Sequence, residues 1–165
     1  LVDLSVDWLG LPHGDSPEER LKMWSLFSRT IGKDSFAARA RIGALLVGTA
    51  VLFGALGAHA LADLLQAEGR VDSWNTAVLY QLVHGLAIWI AALARPEWAG
   101  RLRWPARCWA VGTLLFSGSI YGLILGGPAW LGPVTPAGGL ALLAGWLWAL
   151  LAVPSAIPGS AGSVE

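Results

Sequence analysis

Long apolar runs separated by short polar ones dominate this chain. No Asp, Glu, Lys or Arg occurs in residues 42–62, 74–94, 108–127 or 135–153. Each run is about 20 residues, enough at ~1.5 Å rise per residue to cross a bilayer's hydrocarbon core as a helix. The pattern predicts an all-α fold, a four-helix transmembrane bundle. Ahead of it, Ser16-Pro17-Glu18-Glu19 reads as a helix start, with Ser16 as N-cap and Glu19 closing a capping box. From there to Ile31, Glu18, Lys22, Ser25 and Arg29 share one side of the helix. Leu21, Met23, Trp24, Phe27 and Ile31 share the other. That is an amphipathic surface helix, its apolar side suited to a membrane or a partner subunit. The domain plan is therefore 1–37, a docking arm (with an exposed Trp8) and amphipathic helix; 38–153, the membrane domain; and 154–165, a disordered Ser/Gly/Ala/Pro tail.

Small residues recur at helical spacing. The first span carries Gly54 and Ala58, the third Gly118, Gly122 and Gly126, the fourth Gly145. Such stripes let helix backbones approach closely in lipid. On the second span, with Tyr80 at zero on a helical wheel, Ser73, Ala77, Gln81, His84, Gly85, Ala87, Ala91 and Ala92 fall on one side and predict the buried face. Thr135-Pro136 is expected to open the fourth helix, with Thr135 as N-cap and Pro136 as first residue, after a tight uncharged turn.

Composition sharpens this picture. The chain is 55% hydrophobic and 13% charged, with mean hydropathy +0.59; soluble domains carry about 25% charged residues. Positive residues mark one side: Lys33, Arg39 and Arg41 before the first span, then Arg95, Arg101, Arg103 and Arg107 between the second and third. The expectation is a bacterial inner-membrane protein with cytoplasmic N- and C-termini. The arginines are accounted for by topology, so no nucleic-acid partner is expected. Nor is a cleavable signal sequence, since the first apolar run begins late and is long. Cys108 stands alone, which excludes a thiolate metal cluster.

The candidate chemistry lies in polar residues within apolar runs: His59, Tyr80, Gln81, His84, Ser117, Ser119 and Tyr121. An ionisable group inside a span must face protein, water or a ligand. His59 and His84 differ in expected depth by about seven residues, ~10 Å, too far to share one metal ion. Each could separately be an axial ligand of a haem or chlorophyll-type pigment, but the simpler expectation is a self-satisfying hydrogen-bonded cluster with no cofactor and no metal. No phosphate loop, His-x-x-x-His or paired carboxylate is present, so no enzyme activity is expected.

Gly54-Ala55-Leu56-Gly57-Ala58-His59-Ala60-Leu61, Thr76 to His84, Phe116-Ser117-Gly118-Ser119-Ile120-Tyr121, and Thr135-Pro136-Ala137-Gly138-Gly139 followed by Gly145-Trp146 occur in that order. Together they resemble the domain of unknown function 423 family, small four-helix membrane proteins that include animal transmembrane protein 256. The resemblance covers about residues 40 to 153. It implies an inner-membrane location without an established activity, and residues 1–37 lie outside it. That extension and the ten tryptophans point to an accessory or assembly subunit of a larger membrane complex, respiratory or photosynthetic, in contact with lipid. The alternative is a proton or small-solute channel or carrier using the His/Tyr/Gln cluster.

Overall fold

The computed structural model describes residues 16–94, 98 and 100–152, and among these the side chains of all but 20 and 23–35. Trp8, the rest of the N-terminal arm and the C-terminal tail lie outside the described residues, as do the side chains of Trp24, Phe27 and Ile31. Where described, the regular structure is entirely helical: α1 Pro17–Ala58, α2 Ala62–Ala67, α3 Val71–Leu93, α4 Arg103–Ile124 and α5 Leu131–Ala152. The chain divides into two compact units, Leu1–Ala37 and Ala38–Glu165, a division that falls within α1.

In the first unit, Ser16 caps α1: its Oγ accepts the Glu19 N–H at 3.2 Å. Glu18 and Glu19 in the first turn suit the positive end of the helix dipole. Leu21 is exposed. The surface helix expected to end near Ile31 is not a separate element, because the backbone stays helical through Gly32, Asp34 and Ser35. Weak formers cost up to about 1 kcal/mol each, whereas extending an existing helix adds one hydrogen bond per residue. Propensity alone does not stop it.

Two helices of the second unit, α2 and α4, end in glycine turns. Gly126 has φ 84° and follows the C-cap Leu125 of α4. The Gly127 N–H then reaches the Gly122 carbonyl at 2.7 Å and the Gly126 N–H reaches Leu123 at 3.4 Å. This Schellman geometry needs a residue tolerant of positive φ. Gly69, at φ 62°, ends α2 in the same way.

The start of α5 corrects an expectation. Helix begins at Leu131, and Pro136 lies inside it, so Thr135 is a helical residue rather than a cap. Pro133 falls in the first turn, where no N–H bond is needed. At Pro136 the one lost bond is that to Gly132, still in the first turn.

Glycines set the two tightest crossings. A Cβ on Gly43 would stand 2.6 Å from the Trp89 backbone nitrogen, and one on Gly85 2.9 Å from the Leu46 Cβ. At this point α1 and α3 touch backbone to backbone. Between α4 and α5, a Cβ on Gly112 would stand 2.9 Å from the Leu142 nitrogen, and one on Gly138 would strike the Phe116 backbone. Two apolar clusters result. Leu65, Trp74, Ala77, Tyr121 and Ile124 form one, and Ile88, Ala91, Ala106, Trp109 and Leu142 the other.

By length and apolar composition, three helical stretches among the described residues can cross a membrane: Phe36–Ala58, Val71–Leu93 and Leu131–Ala152. The expected fourth, α4, is not among them. It carries Arg103 and Arg107 in its first turns and buries Thr113, Ser117, Ser119 and Tyr121. Packed against both α3 and α5, α4 turns these polar groups toward neighbours rather than lipid.

Candidate functional site

His84 is the best-defined polar group of the second unit. It sits near the middle of α3 on the face that buries Ala77, Gln81 and Ile88. Its Nε2 lies 3.0 Å from the Trp146 Nε1 of α5. An indole N–H can only donate, so Nε2 is the acceptor and the imidazole proton resides on Nδ1. That proton is donated to the Tyr80 carbonyl at 2.7 Å. Both nitrogens are thus engaged, and one tautomer is selected. Ring contacts fix the pair further: Trp146 packs on Trp109 at 4.6 Å between centroids, and Tyr80 stacks on Phe116 at 4.6 Å.

The remaining polar groups bridge other helix pairs. Gln81 donates its amide to the Leu46 carbonyl at 3.0 Å and to Thr49 Oγ1 at 2.7 Å, joining α3 to α1. Ser117 Oγ donates to the Ala77 carbonyl at 2.8 Å, joining α4 to α3. Ser119 and Thr135 share a hydroxyl–hydroxyl bond of 2.6 Å between α4 and α5. Trp74 donates to the Phe53 carbonyl at 2.9 Å, and Tyr121 packs against both rings. Three buried groups make no hydrogen bond among the described residues: Trp109 Nε1, Thr113 Oγ1 and the Tyr121 hydroxyl. Thr113 and Tyr121 line a small cavity of about 190 Å³ with Thr49, Gln81 and Ser117. Buried polar atoms are rarely left unpaired, and a cavity of this size has room for water.

His59 does not join this arrangement. It is exposed, in the turn after Ala58, and its backbone N–H still reaches the Ala55 carbonyl at 3.1 Å. The apolar run that placed it inside a span continues into the turn and the short helix α2. Among the proposed packing residues, a Cβ on Gly145 would meet Trp109 at 2.6 Å, one on Gly122 would meet Leu131 at 2.7 Å, and Gly54 is in ordinary contact range of Val78. Gly118 and Ala58 are exposed, nothing lies within 4 Å of a Cβ built on Gly118, and Gly126 serves the turn.

Sequence reasoning missed Trp146, Thr49 and Thr135 as partners. Apolar position and hydroxyl size offered no hint that these residues supply the matching donors and acceptors. The cluster consists of neutral hydroxyls, amides and one doubly bonded imidazole. It can hold helices in register and bind small polar groups. For His84 to ligate a metal or pigment through Nε2, Trp146 would have to turn away.

The chain's relatives share this part of the molecule. The sequence profile described as Protein of unknown function (DUF423) matches residues 53–139, from the Phe53 end of α1 into α5. A UPF0382 membrane protein of Schizosaccharomyces pombe is 40% identical over 109 residues, covering 63% of this chain and 87% of the relative. One from Staphylococcus haemolyticus is 36% identical over 67% of this chain and 89% of its own length. The Bacillus subtilis UPF0382 membrane protein YwdK is 32% identical, covering 67% and 91%. No solved structure matches. The chain covers most of the length of these membrane proteins, and it belongs to the DUF423 family, whose function is unknown.

Proposed function

We propose that this protein is a non-catalytic four-span membrane protein that serves as an accessory subunit of a larger membrane complex. In this reading α4 is the fourth span, and both termini lie on the arginine-marked, cytoplasmic side. One observation carries the proposal: His84, the group best suited to chemistry, has both nitrogens engaged in helix–helix architecture. The N-terminal unit supports the subunit role. It lies outside the matched residues and presents Leu21, 71% exposed, on a helix whose apolar side also holds Trp24, Phe27 and Ile31 by sequence. A surface of that kind suits docking to another protein.

The test is purification of the full chain from its own membrane in mild detergent, followed by native mass spectrometry. A defined larger assembly is expected, and Leu21→Glu with Trp24→Glu should release the protein from it. Migration as an isolated protein, unaffected by these substitutions, would overturn the proposal. A second reading draws on the cavity beside Thr113 and Tyr121: passage of a small solute, which predicts a liposome flux lost in Gln81→Leu.

A further inference from the structure

The cavity of about 190 Å³ lies where α1, α3 and α4 meet. Leu46, Thr49 and Phe53 line it from α1, and Gln81 from α3. Thr113, Ser117 and Tyr121 line it from α4. Most of its hydrogen-bond donors are already spent on the protein. The Gln81 amide is divided between the Leu46 carbonyl and Thr49 Oγ1, and the Ser117 hydroxyl donates to the Ala77 carbonyl. The Thr49 hydroxyl turns back to the Leu45 carbonyl at 2.7 Å. Two donors remain. Thr113 is 1% and Tyr121 7% exposed, and neither hydroxyl has a partner among the described residues.

The cavity also has an open side. Thr49, Leu114 and Gly118 line it and are themselves exposed. A Cβ built on Gly118 meets nothing within 4 Å, so this glycine leaves the opening clear. Thr49 and Gln81 stand near the middle of the membrane-length stretches Phe36–Ala58 and Val71–Leu93. At that depth the opening faces lipid tails, and what enters must dissolve in them. Among the described residues no Asp, Glu, Lys, Arg or His lines the cavity, so a charge brought here would go uncompensated.

We propose that this cavity is a binding site for a small neutral carbonyl compound drawn from the bilayer. Its oxygen, an acceptor with two lone pairs, turns inward to the unpartnered hydroxyls of Thr113 and Tyr121. Its carbon skeleton fills the side open to lipid. Water would satisfy the hydroxyls too, but it would turn a polar face on the tails. A cavity of about 150 Å³ already admits benzene, so a six-membered ring fits. Binding rests on membrane embedding alone, neither on the subunit role nor on solute passage.

The probes are cyclohexanone and methylenecyclohexane, which share a shape and differ in the acceptor oxygen. Saturable binding to the full chain is measured in phosphatidylcholine nanodiscs, with empty nanodiscs giving the lipid background. Cyclohexanone should bind about tenfold more tightly. Thr113→Val with Tyr121→Phe should abolish that advantage while circular dichroism stays unchanged, because neither hydroxyl bonds another described residue. Ser119→Ala, which deletes a hydroxyl bonded to Thr135 on the α5 side, should keep it. Gly118→Leu should close the opening and weaken cyclohexanone binding. Absence of saturable cyclohexanone binding, as in a cavity held by water alone, would overturn the site. So would equal affinity for the two probes, an advantage that survives the double variant or falls as far in Ser119→Ala, or unaltered binding in Gly118→Leu.

Discussion

The two flanks of α3 are built on opposite plans. Toward α1, Gly43 and Gly85 remove the side chains that would hold the helices apart, and backbone meets backbone. Gln81 adds its bonds to Leu46 and Thr49 across an interface already closed. Toward α5 the helices stand apart, leaving an apolar cleft of about 630 Å³ bridged by one long pair, Trp146 on His84. In lipid, apolar side chains gain little by leaving tails for one another, so close packing and hydrogen bonds must supply association. The α1 seam relies mainly on the first of these. The α5 seam relies on the second, with α4 beneath it as a floor.

That contrast is most easily broken at Gly85. Gly85→Leu forces a branched side chain into space where even a Cβ stands 3.1 Å from the Val47 nitrogen. Overpacking costs typically 1–3 kcal/mol, and here about 3 kcal/mol or more is expected because the obstacle is backbone. Thermal unfolding in detergent, followed by circular dichroism, should show the largest shift of any substitution considered. Gly118→Leu is the matched control: at an open helix position no loss is expected, and the gain in helix propensity is up to about 1 kcal/mol. If the two variants unfold alike, the backbone crossing is not what holds α1 to α3.

At the α5 seam the sharper probe keeps an aromatic ring and removes the indole N–H. Trp146→Phe removes the one donor to His84 Nε2 among the described residues and leaves that nitrogen unpaired on a buried residue. About 1–2 kcal/mol should be lost. Nitrogen-15 spectra of His84 should also lose the fixed tautomer with the proton on Nδ1. Replacing both residues, His84→Leu with Trp146→Phe, should cost less than the two single changes summed, because neither partner is then stranded. Additive losses would mean that the pair carries no coupling.

Charge-free runs and glycine punctuation made α3, α4 and α5 legible to within a few residues, and of the wheel's face on α3, Ala77, Gln81, His84, Gly85, Ala91 and Ala92 are buried, whereas Ala87 is half-buried and Ser73 is exposed. What was not legible has a common physical cause. Small residues recur so often along α1, α4 and α5 that several stripes compete, and spacing alone cannot say which stripe meets a neighbour. Gly43 and Gly112 do, and Gly118 does not. Pro133 and Pro136 both satisfy the rule for a helix start, so the earlier boundary was equally allowed. Trp146 has no partner legible in the sequence, since a hydrogen bond spanning 62 positions leaves no local trace. Within the polar cluster the residue types were visible and their pairing was not.

The smallest expected effect separates the two histidines. Both occupy apolar runs in the sequence, and only geometry distinguishes them. His59→Ala alters an exposed side chain in a turn whose backbone bond to Ala55 does not involve the imidazole. Its unfolding should match the wild type within about 0.5 kcal/mol. His84→Ala removes a ring that bonds Trp146 and Tyr80 at once, strands the indole N–H and opens a cavity against Trp146. That loss should exceed about 2 kcal/mol. A large effect at His59 would mean that the turn after α1 holds a contact of its own, and the polar interior would then extend to the end of the bundle where α2 lies.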